Sequence, residues 1–367
     1  MTSRKRRALA WTLLLVGVIA FAEGAGALAY RLAFAPAERD AVDAALAQPV
    51  LRYRPHPYLN YVCNGDWTFP DGTRPHLPIG IRDPGFPPRG KRPGVFRIVA
   101  LGESTTYGMY VKKASQVWPH LVGQALAQTL HADVEVVNAG VPNYTTWEMT
   151  GMAAFWLPEF APDLVLVHTG LNDAFAVAYP DEGGPDGTTF RHPWSQRPIP
   201  RPLAAAMRAS RLARVLGAGL LRRQGYAPGD MGAAIQWALP PDVEVQANAS
   251  QATGKYFRRN VETLLALIRG AGARPVLVDM PLNPRFARGQ GTYYDAVSAA
   301  VLRDNQILHE IGTAEGVPVV ALAARLRDPG LFVDAAHVNA KGMAQKAQGV
   351  YEALLPLVAE MVSARRP

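Results

Sequence analysis

A single cysteine, Cys63, stands among 367 residues. That excludes an intrachain disulfide and a cysteine-built zinc site, and Cys63 reads as a small buried apolar residue. Charge is also sparse. Charged residues make up 19% of the chain and hydrophobic residues 49%, a balance that suits a globular protein and excludes a disordered one. The length allows one large domain with attachments or two modest ones. The formal net charge is +8, but the arginines are scattered and no nucleic-acid-binding motif accompanies them, so nucleic acid is not an expected partner. A basic face turned to an anionic membrane or polymer fits better. The histidines lack metal-ligand spacing, and neither a metal nor a cofactor is expected.

The first thirty-odd residues are the clearest physical signal. Arg4, Lys5, Arg6 and Arg7 precede an apolar stretch from Ala8 to Ala22, and a softer one continues to about Phe34. Cations before an apolar stretch keep the N-terminus cytoplasmic, which places the rest of the chain outside. Two readings follow. The Ala27–Ala29 segment resembles a signal-peptidase site, which would release a secreted chain beginning at Tyr30. Alternatively the segment stays as a signal anchor, since Ala8–Ala29 supplies the roughly 20 residues a membrane crossing needs. Glu23 would then lie in the outer part of the span, where a carboxyl costs less than at the centre, with Arg31 near the outer interface. The apolar character resumes after Ala29, which favours the retained anchor over residues 1–34.

Residues 35–94 show little periodicity. From Arg52 they are rich in proline, glycine and aromatics, which excludes a long helix. An extended juxtamembrane arm is expected, packed on the following domain through Tyr53, Tyr58, Tyr61 and Trp67, with residues 83–94 as its final linker. From Val95 the pattern becomes strands alternating with helices. The strand segments VFRIVALG, VEVVNAG, PDLVLVHTG, ARPVLVDMP and VPVVALA are continuous apolar runs, as in a parallel sheet covered on both faces. Residues 95–362 are therefore read as an α/β domain, a doubly wound parallel five-stranded sheet between two helical layers, with right-handed crossovers. Sites in such sheets form at the C-terminal strand ends. Residues 179–254 interrupt the rhythm as an insertion. It holds one helical stretch bearing Arg208, Arg211, Arg214, Arg222 and Arg223, which reads either as a solvated charged face or as a lid resting on lipid or substrate.

Four polar signatures end the strands: Gly102-Glu103-Ser104, Asn138-Ala139-Gly140, Gly170-Leu171-Asn172-Asp173, and Asp334 with His337 before the last helix. Each alone suits a turn or a cap. Together they suit nucleophilic chemistry. A serine hydroxyl needs a base within hydrogen-bond reach, and His337 can serve Ser104. An imidazole needs an acceptor on its other nitrogen, and Asp334 lies three residues earlier. A carbonyl under attack becomes an oxyanion and needs donors aimed at it; the N–H groups of Ser104 and Gly140 and the side-chain amide of Asn172 can provide them. Competing motifs fail. Ser104 is followed by Thr106 where the α/β-hydrolase elbow needs glycine. Gly108 precedes methionine, not the Lys-Ser/Thr of a phosphate loop, and the first strand turn lacks G-x-G-x-x-G. The sequons at Asn143 and Asn248 are short matches.

In these blocks the chain resembles the SGNH hydrolases, the GDSL esterase/lipase superfamily, whose four blocks centre on Ser, Gly, Asn and His. GESTTYG, NAGVPNY, GLND and DAAHVNAKG stand in the family's order, and the resemblance covers about Val95 to Val362. It implies Ser104 as nucleophile, His337 as general base, Asp334 as third triad member, and an oxyanion hole of Ser104, Gly140 and Asn172. The first block departs from the usual Gly-Asp-Ser by a glutamate, Glu103. Asp173 reads as a structural hydrogen-bond acceptor. The resemblance, which does not cover the arm or the anchor, implies a serine esterase acting on acyl esters, acetyl among them; the N-terminal anchor, read from its own residues, adds export and a carbohydrate or lipid substrate in the envelope. An acyltransferase to polysaccharide is a variant, and an exported binding module on the same fold is the alternative. Trp147, Trp156, Trp194 and Tyr144 are candidates either for stacking on sugars or for the core.

Overall fold

Apolar runs too short for helices and too continuous for a half-exposed sheet become the central strands of the computed structural model, which describes residues 3–47, 50–69, 71–82, 90–175, 199–223, 242–286 and 293–365. In chain order, helices α1 (Ser3–Ala33) and α2 (Pro36–Ala47) precede strands β1 (Tyr53–His56), β2 (Asn60–Cys63) and β3 (Phe96–Gly102). Next come α3 (Ser104–Tyr107), α4 (Trp118–Leu130), β4 (Val134–Gly140), α5 (Thr146–Phe160), β5 (Leu164–His168) and α6 (Leu171–Ala174). Then follow α7 (Arg201–Ala209), α8 (Arg211–Arg223), α9 (Asp242–Gln251), α10 (Lys255–Gly270), β6 (Arg274–Val278), α11 (Tyr293–Glu315), β7 (Val319–Val320), α12 (Leu322–Arg325) and α13 (Ala340–Ser363). The chain divides into two units, Met1–Arg54 with His192–Ile235 and Pro55–Arg191 with Gln236–Pro367.

The larger unit is built on a parallel sheet of order β4–β3–β5–β6–β7. Every residue of β3 and β5 is buried, which explains their unbroken apolar sequences. On one face Ile98 and Ala100 pack against Trp118, Val122 and Leu126 of α4 and Val350 and Leu354 of α13. Helices α5, α10 and α11 form the other layer, burying Met149, Leu157, Val261, Leu264 and Val301. The register aligns the strand ends: Gly102 pairs with Gly140 on one side and His168 on the other. The residues following β3, β4 and β5 therefore emerge at one edge. The expected fifth strand shortens to two residues, because Asp279 accepts the Ala323 N–H at 2.8 Å and turns the chain into α12. Cys63 is fully buried, as are Tyr61 and Tyr144; Trp156 is buried, whereas Trp147 is exposed. Trp194 lies outside the described residues.

The smaller unit gathers α1, α2, α7 and α8. Tyr30, Phe34, Val42, Leu46, Met207, Ala218 and Leu221 form its core. Two elements differ from the sequence reading. Residues 36–47 are helical, not extended: Pro36 opens the helix, and Glu38 reaches back to the Ala35 N–H at 2.8 Å. The basic stretch expected as one helix breaks at Ser210. That residue is extended and accepts the Ala213 N–H at 3.1 Å, acting as the N-cap of α8. Helix α1 is long and apolar enough to cross a membrane between Arg4 and Ala33.

Candidate active site

The turn after β3 presents Ser104 as the first residue of α3, where helix geometry offers its N–H no acceptor within the helix. The turn is tight. A Cβ on Gly102 would lie 2.1 Å from Thr106 Oγ1, and one on Gly140 would lie 2.3 Å from the Tyr107 nitrogen, so both strands end in glycine where α3 lies against them. On the far side of the turn, a loop pinned by Val333 N–H to His337 O at 2.8 Å and Asn339 N–H to Leu331 O at 2.8 Å delivers His337.

His337 Nε2 is 2.7 Å from Ser104 Oγ, and His337 Nδ1 is 2.8 Å from Asp334 Oδ2 and 2.9 Å from Oδ1. Asp334 Oδ1 also accepts the backbone N–H groups of Ala336 at 3.1 Å and His337 at 2.9 Å. Burial alone would raise the Asp334 carboxyl; its hydrogen bond and charge interaction with His337 outweigh burial and hold it at about 2. The carboxylate therefore fixes the imidazole with Nδ1 protonated and Nε2 turned, as an acceptor, to the serine. The exposed Tyr110 stands edge-on to the imidazole with ring centroids 5.5 Å apart.

The two remaining residues of the sequence reading are engaged in bonds of their own. The Asn172 side-chain amide donates to Tyr144 O at 2.9 Å, which leaves its second N–H. The Gly140 N–H donates to Asn138 Oδ1 at 3.0 Å, and Asn138 is itself held by Thr106 O at 3.1 Å.

Glu103 has a definite place. Its carboxyl accepts the N–H groups of Gly170 and Leu171 at 3.0 Å each and of Asn172 at 3.1 Å. It thus closes the start of α6 and ties the Asn172 backbone to the residue before Ser104. Gly170 has φ 128° and ψ −19°, a conformation open to glycine. Burial pushes the Glu103 carboxyl up to about 8, Asp173 adding to the shift, while the three N–H donations pull it back. Asp173, raised by burial to about 6, accepts from Thr146 N and Oγ1 and from Thr169 Oγ1, joining α6 to the start of α5.

Several supporting residues carry no local sequence signal. Lys346 of α13 is buried behind the turn, where Nζ donates to Thr105 O at 3.2 Å and to His168 Nε2 at 2.6 Å. Burial lowers its ammonium to about 7 against the opposing charge of Glu103. Arg82 is buried and donates to Tyr107 O and Gly108 O at 2.8 Å each, to Lys112 O at 3.0 Å, and to Val111 O. The Tyr61 hydroxyl donates to Pro142 O at 2.7 Å, and His76 Nε2 meets the Tyr107 hydroxyl at 2.8 Å. Asn283 holds the histidine loop through Asp334 O at 3.1 Å and Ala335 O at 2.8 Å.

A model of the GDSL-like lipase/acylhydrolase family matches residues 100–345, more than half of the chain. No curated protein sequence matches. Among solved structures, the chain is similar to the lipase/acylhydrolase from Enterococcus faecalis, at 18% identity and TM-score 0.43, over 71% of this chain and 96% of that one. It is similar to a member of the lipolytic protein G-D-S-L family from Veillonella parvula, at 12% identity and TM-score 0.41, over 70% of this chain and 97% of that one. A GDSL-like lipase from Bacteroides thetaiotaomicron matches at 12% identity and TM-score 0.39, over 71% of this chain and 88% of that one.

Proposed function

The chain belongs to the GDSL-like lipase/acylhydrolase family, and on that premise we propose that it is an exported, membrane-anchored serine esterase cleaving acyl esters of an envelope carbohydrate or lipid. The observation that carries the reading is the hydrogen-bonded series Ser104–His337–Asp334 at 2.7 and 2.8 Å on a buried strand end. Ser104 Oγ attacks the ester carbonyl while its proton passes to His337 Nε2. The tetrahedral oxyanion meets the Ser104 N–H and the second amide N–H of Asn172. The Gly140 N–H joins them by giving up Asn138 Oδ1, a bond whose loss leaves a buried acceptor unpaired. The imidazolium then protonates the leaving alkoxide, the C–O bond breaks, and an acyl-serine remains. Water, deprotonated by His337 Nε2, attacks that ester, and as the acyl C–Oγ bond breaks the imidazolium returns the proton to Ser104 Oγ, releasing the carboxylic acid. Asp334 stays ionised throughout, stabilising the imidazolium.

Two results test the assignment. Asn172→Ala is expected to lower kcat by about 10²–10³ with little change in KM, the effect of removing one oxyanion donor. It should also destabilise the fold by about 1–3 kcal/mol, because the buried Tyr144 carbonyl loses a partner. Steady-state kinetics on p-nitrophenyl acetate, butyrate and octanoate, with urea unfolding alongside, separate the two effects. An unchanged kcat removes Asn172 from the oxyanion hole. The pH profile of kcat/KM should fall on the acid side with a slope of one. His337 must be neutral to accept the serine proton, and Asp334, held at about 2, adds no second protonation above that value. The sign for stability agrees. The contribution of Asp334 is present above its unfolded value of 3.8 and is lost as pH falls through about 2. A slope of two over the range where the fold persists would place a second essential carboxylate in the chemistry.

A further inference from the structure

Within the smaller unit, α8 lies along the outer half of α1 in the same direction. At its start, Glu23 accepts the Ser210 hydroxyl and the Arg211 N–H, the latter at 2.6 Å. At its end, Arg222 donates to Ala33 O at 3.3 Å and stacks over Phe34 at 5.1 Å. Contact between them is close: a Cβ on Gly26 would come within 2.7 Å of the Leu212 backbone. Helix α7 closes the hairpin, with Met207 lying against Gly217 of α8.

The register fixes a depth. A hydrocarbon layer of about 30 Å takes about 20 helical residues at 1.5 Å each. Counted from Ala8, just after the basic cluster, the span ends near residue 27 by the same measure. The start of α8, beside Glu23 and Gly26, therefore falls within the outer leaflet, and its end, beside Phe34, lies about 10 Å beyond the hydrocarbon edge, among headgroups. Leucines form one stripe of α8, which opens on the exposed Arg211 beside Glu23. Leu212, Leu216 and Leu220, one turn apart on one stripe, are 38%, 66% and 48% exposed, and α8 ends on Arg222 and the exposed Arg223. Along the same stretch α1 leaves Leu28 and Leu32 59% and 78% exposed. A stripe of leucines between Arg211 and the terminal Arg222 and Arg223 suits the boundary between acyl chains and phosphates, with Leu212 at hydrocarbon depth and Leu216 and Leu220 rising from its edge toward the headgroups. Glu23, costly in hydrocarbon, is satisfied there by the cap it provides to α8.

We propose that the α7–α8 hairpin is a membrane-seated clasp on the anchor, with Leu212, Leu216 and Leu220 in the outer leaflet of a phospholipid bilayer and Arg223 at its phosphates. The proposal rests on α1 being retained, and it gives the outer half of α1 a task that cleavage after Ala29 would abolish.

The test uses the full chain in vesicles of phosphatidylcholine with phosphatidylglycerol. Nitroxide labels are placed singly at Leu15→Cys, Leu212→Cys, Leu216→Cys and Glu262→Cys, with the buried Cys63 replaced by alanine. Collision rates with oxygen and with a water-soluble nickel chelate are compared. The label at 212 is expected to favour oxygen as the label at 15 does, several-fold over the label at the exposed position 262 on α10, and the label at 216, one turn nearer the headgroups, to fall between 15 and 262. A label at 216 that follows 262 while 15 favours oxygen overturns the clasp and leaves the anchor standing. A label at 15 that follows 262 overturns both. Dipolar broadening at 216 that persists on dilution in lipid assigns the stripe to a second copy of the chain and overturns the lipid seat.

Discussion

Ser104→Ala is expected to lower kcat/KM for p-nitrophenyl butyrate by about 10⁴–10⁶, the range seen when a serine nucleophile is removed. The substitution takes away one atom at a buried position, so the fold should survive it. What is lost structurally is a single 2.7 Å hydrogen bond to His337 Nε2, worth about 1 kcal/mol. Thermal melts of the variant should lie within a few degrees of the parent. Residual rate enhancement would come from the oxyanion donors, which the substitution leaves in place. Labelling by a fluorophosphonate gives an independent reading: the parent should be modified at residue 104 and the variant not at all. Retention of activity within tenfold, with the melting temperature unchanged, would move the nucleophile elsewhere and sink the proposed mechanism.

Asp334→Asn should cost about 10⁴ in kcat, and the local hydrogen bonding says why. In the parent, Asp334 Oδ1 accepts two backbone N–H groups, from Ala336 and His337. In the variant the amide oxygen keeps those donors, since an NH₂ group there would face two N–H groups. The NH₂ is then directed at His337 Nδ1, which must become an acceptor. The imidazole proton moves to Nε2, where it faces Ser104 and can no longer receive the serine proton. The expected loss is that of a wrong tautomer in preserved geometry, about 10⁴ in a serine hydrolase. Steady-state kcat together with a structure of the variant checks both halves. A kcat within tenfold of the parent would show that the imidazole is oriented by something other than Asp334.

The sheet was legible because burial on both faces writes itself into sequence as unbroken apolar runs, and β3, β4 and β5 each carry one. Parallel strands also gather whatever follows them at one edge, so Ser104, Gly140 and Asn172 could be placed at one sheet edge from the alternation of strands and helices, whereas their adjacency comes from the order β4–β3–β5. Short-range hydrogen bonding was harder to foresee. The break at Ser210 depends on a serine choosing to cap instead of continuing a helix whose neighbours all favour helix. The commitment of the Gly140 N–H to Asn138 depends on a side chain two residues away turning back along its own strand. Contacts between distant segments left no trace at all. Lys346 meets Thr105 across 241 positions, and although its spacing from Met343 and Val350 sets it on the apolar stripe of α13, nothing in that pattern names its partners. Glu103 was visible as a departure from the family's aspartate, but its three N–H partners lie 67 to 69 residues away.

Arg82 determines where the polypeptide can be cut. Its guanidinium gathers the carbonyls of Tyr107, Gly108, Val111 and Lys112, which form the rear wall of the serine turn. A fragment begun at residue 95, where strands and helices start to alternate, would contain the whole parallel sheet and all of Ser104, Gly140, Asn172, Asp334 and His337. It would nevertheless leave those four carbonyls without their shared donor, and Pro142 and Tyr107 without Tyr61 and His76. A protease nick between Cys63 and Arg82, or an expression boundary drawn at the first long strand, should therefore loosen the turn that carries Ser104 while the sheet beneath it stays intact. A piece that keeps every support of the serine turn must therefore begin before Tyr61, within the proline- and aromatic-rich arm.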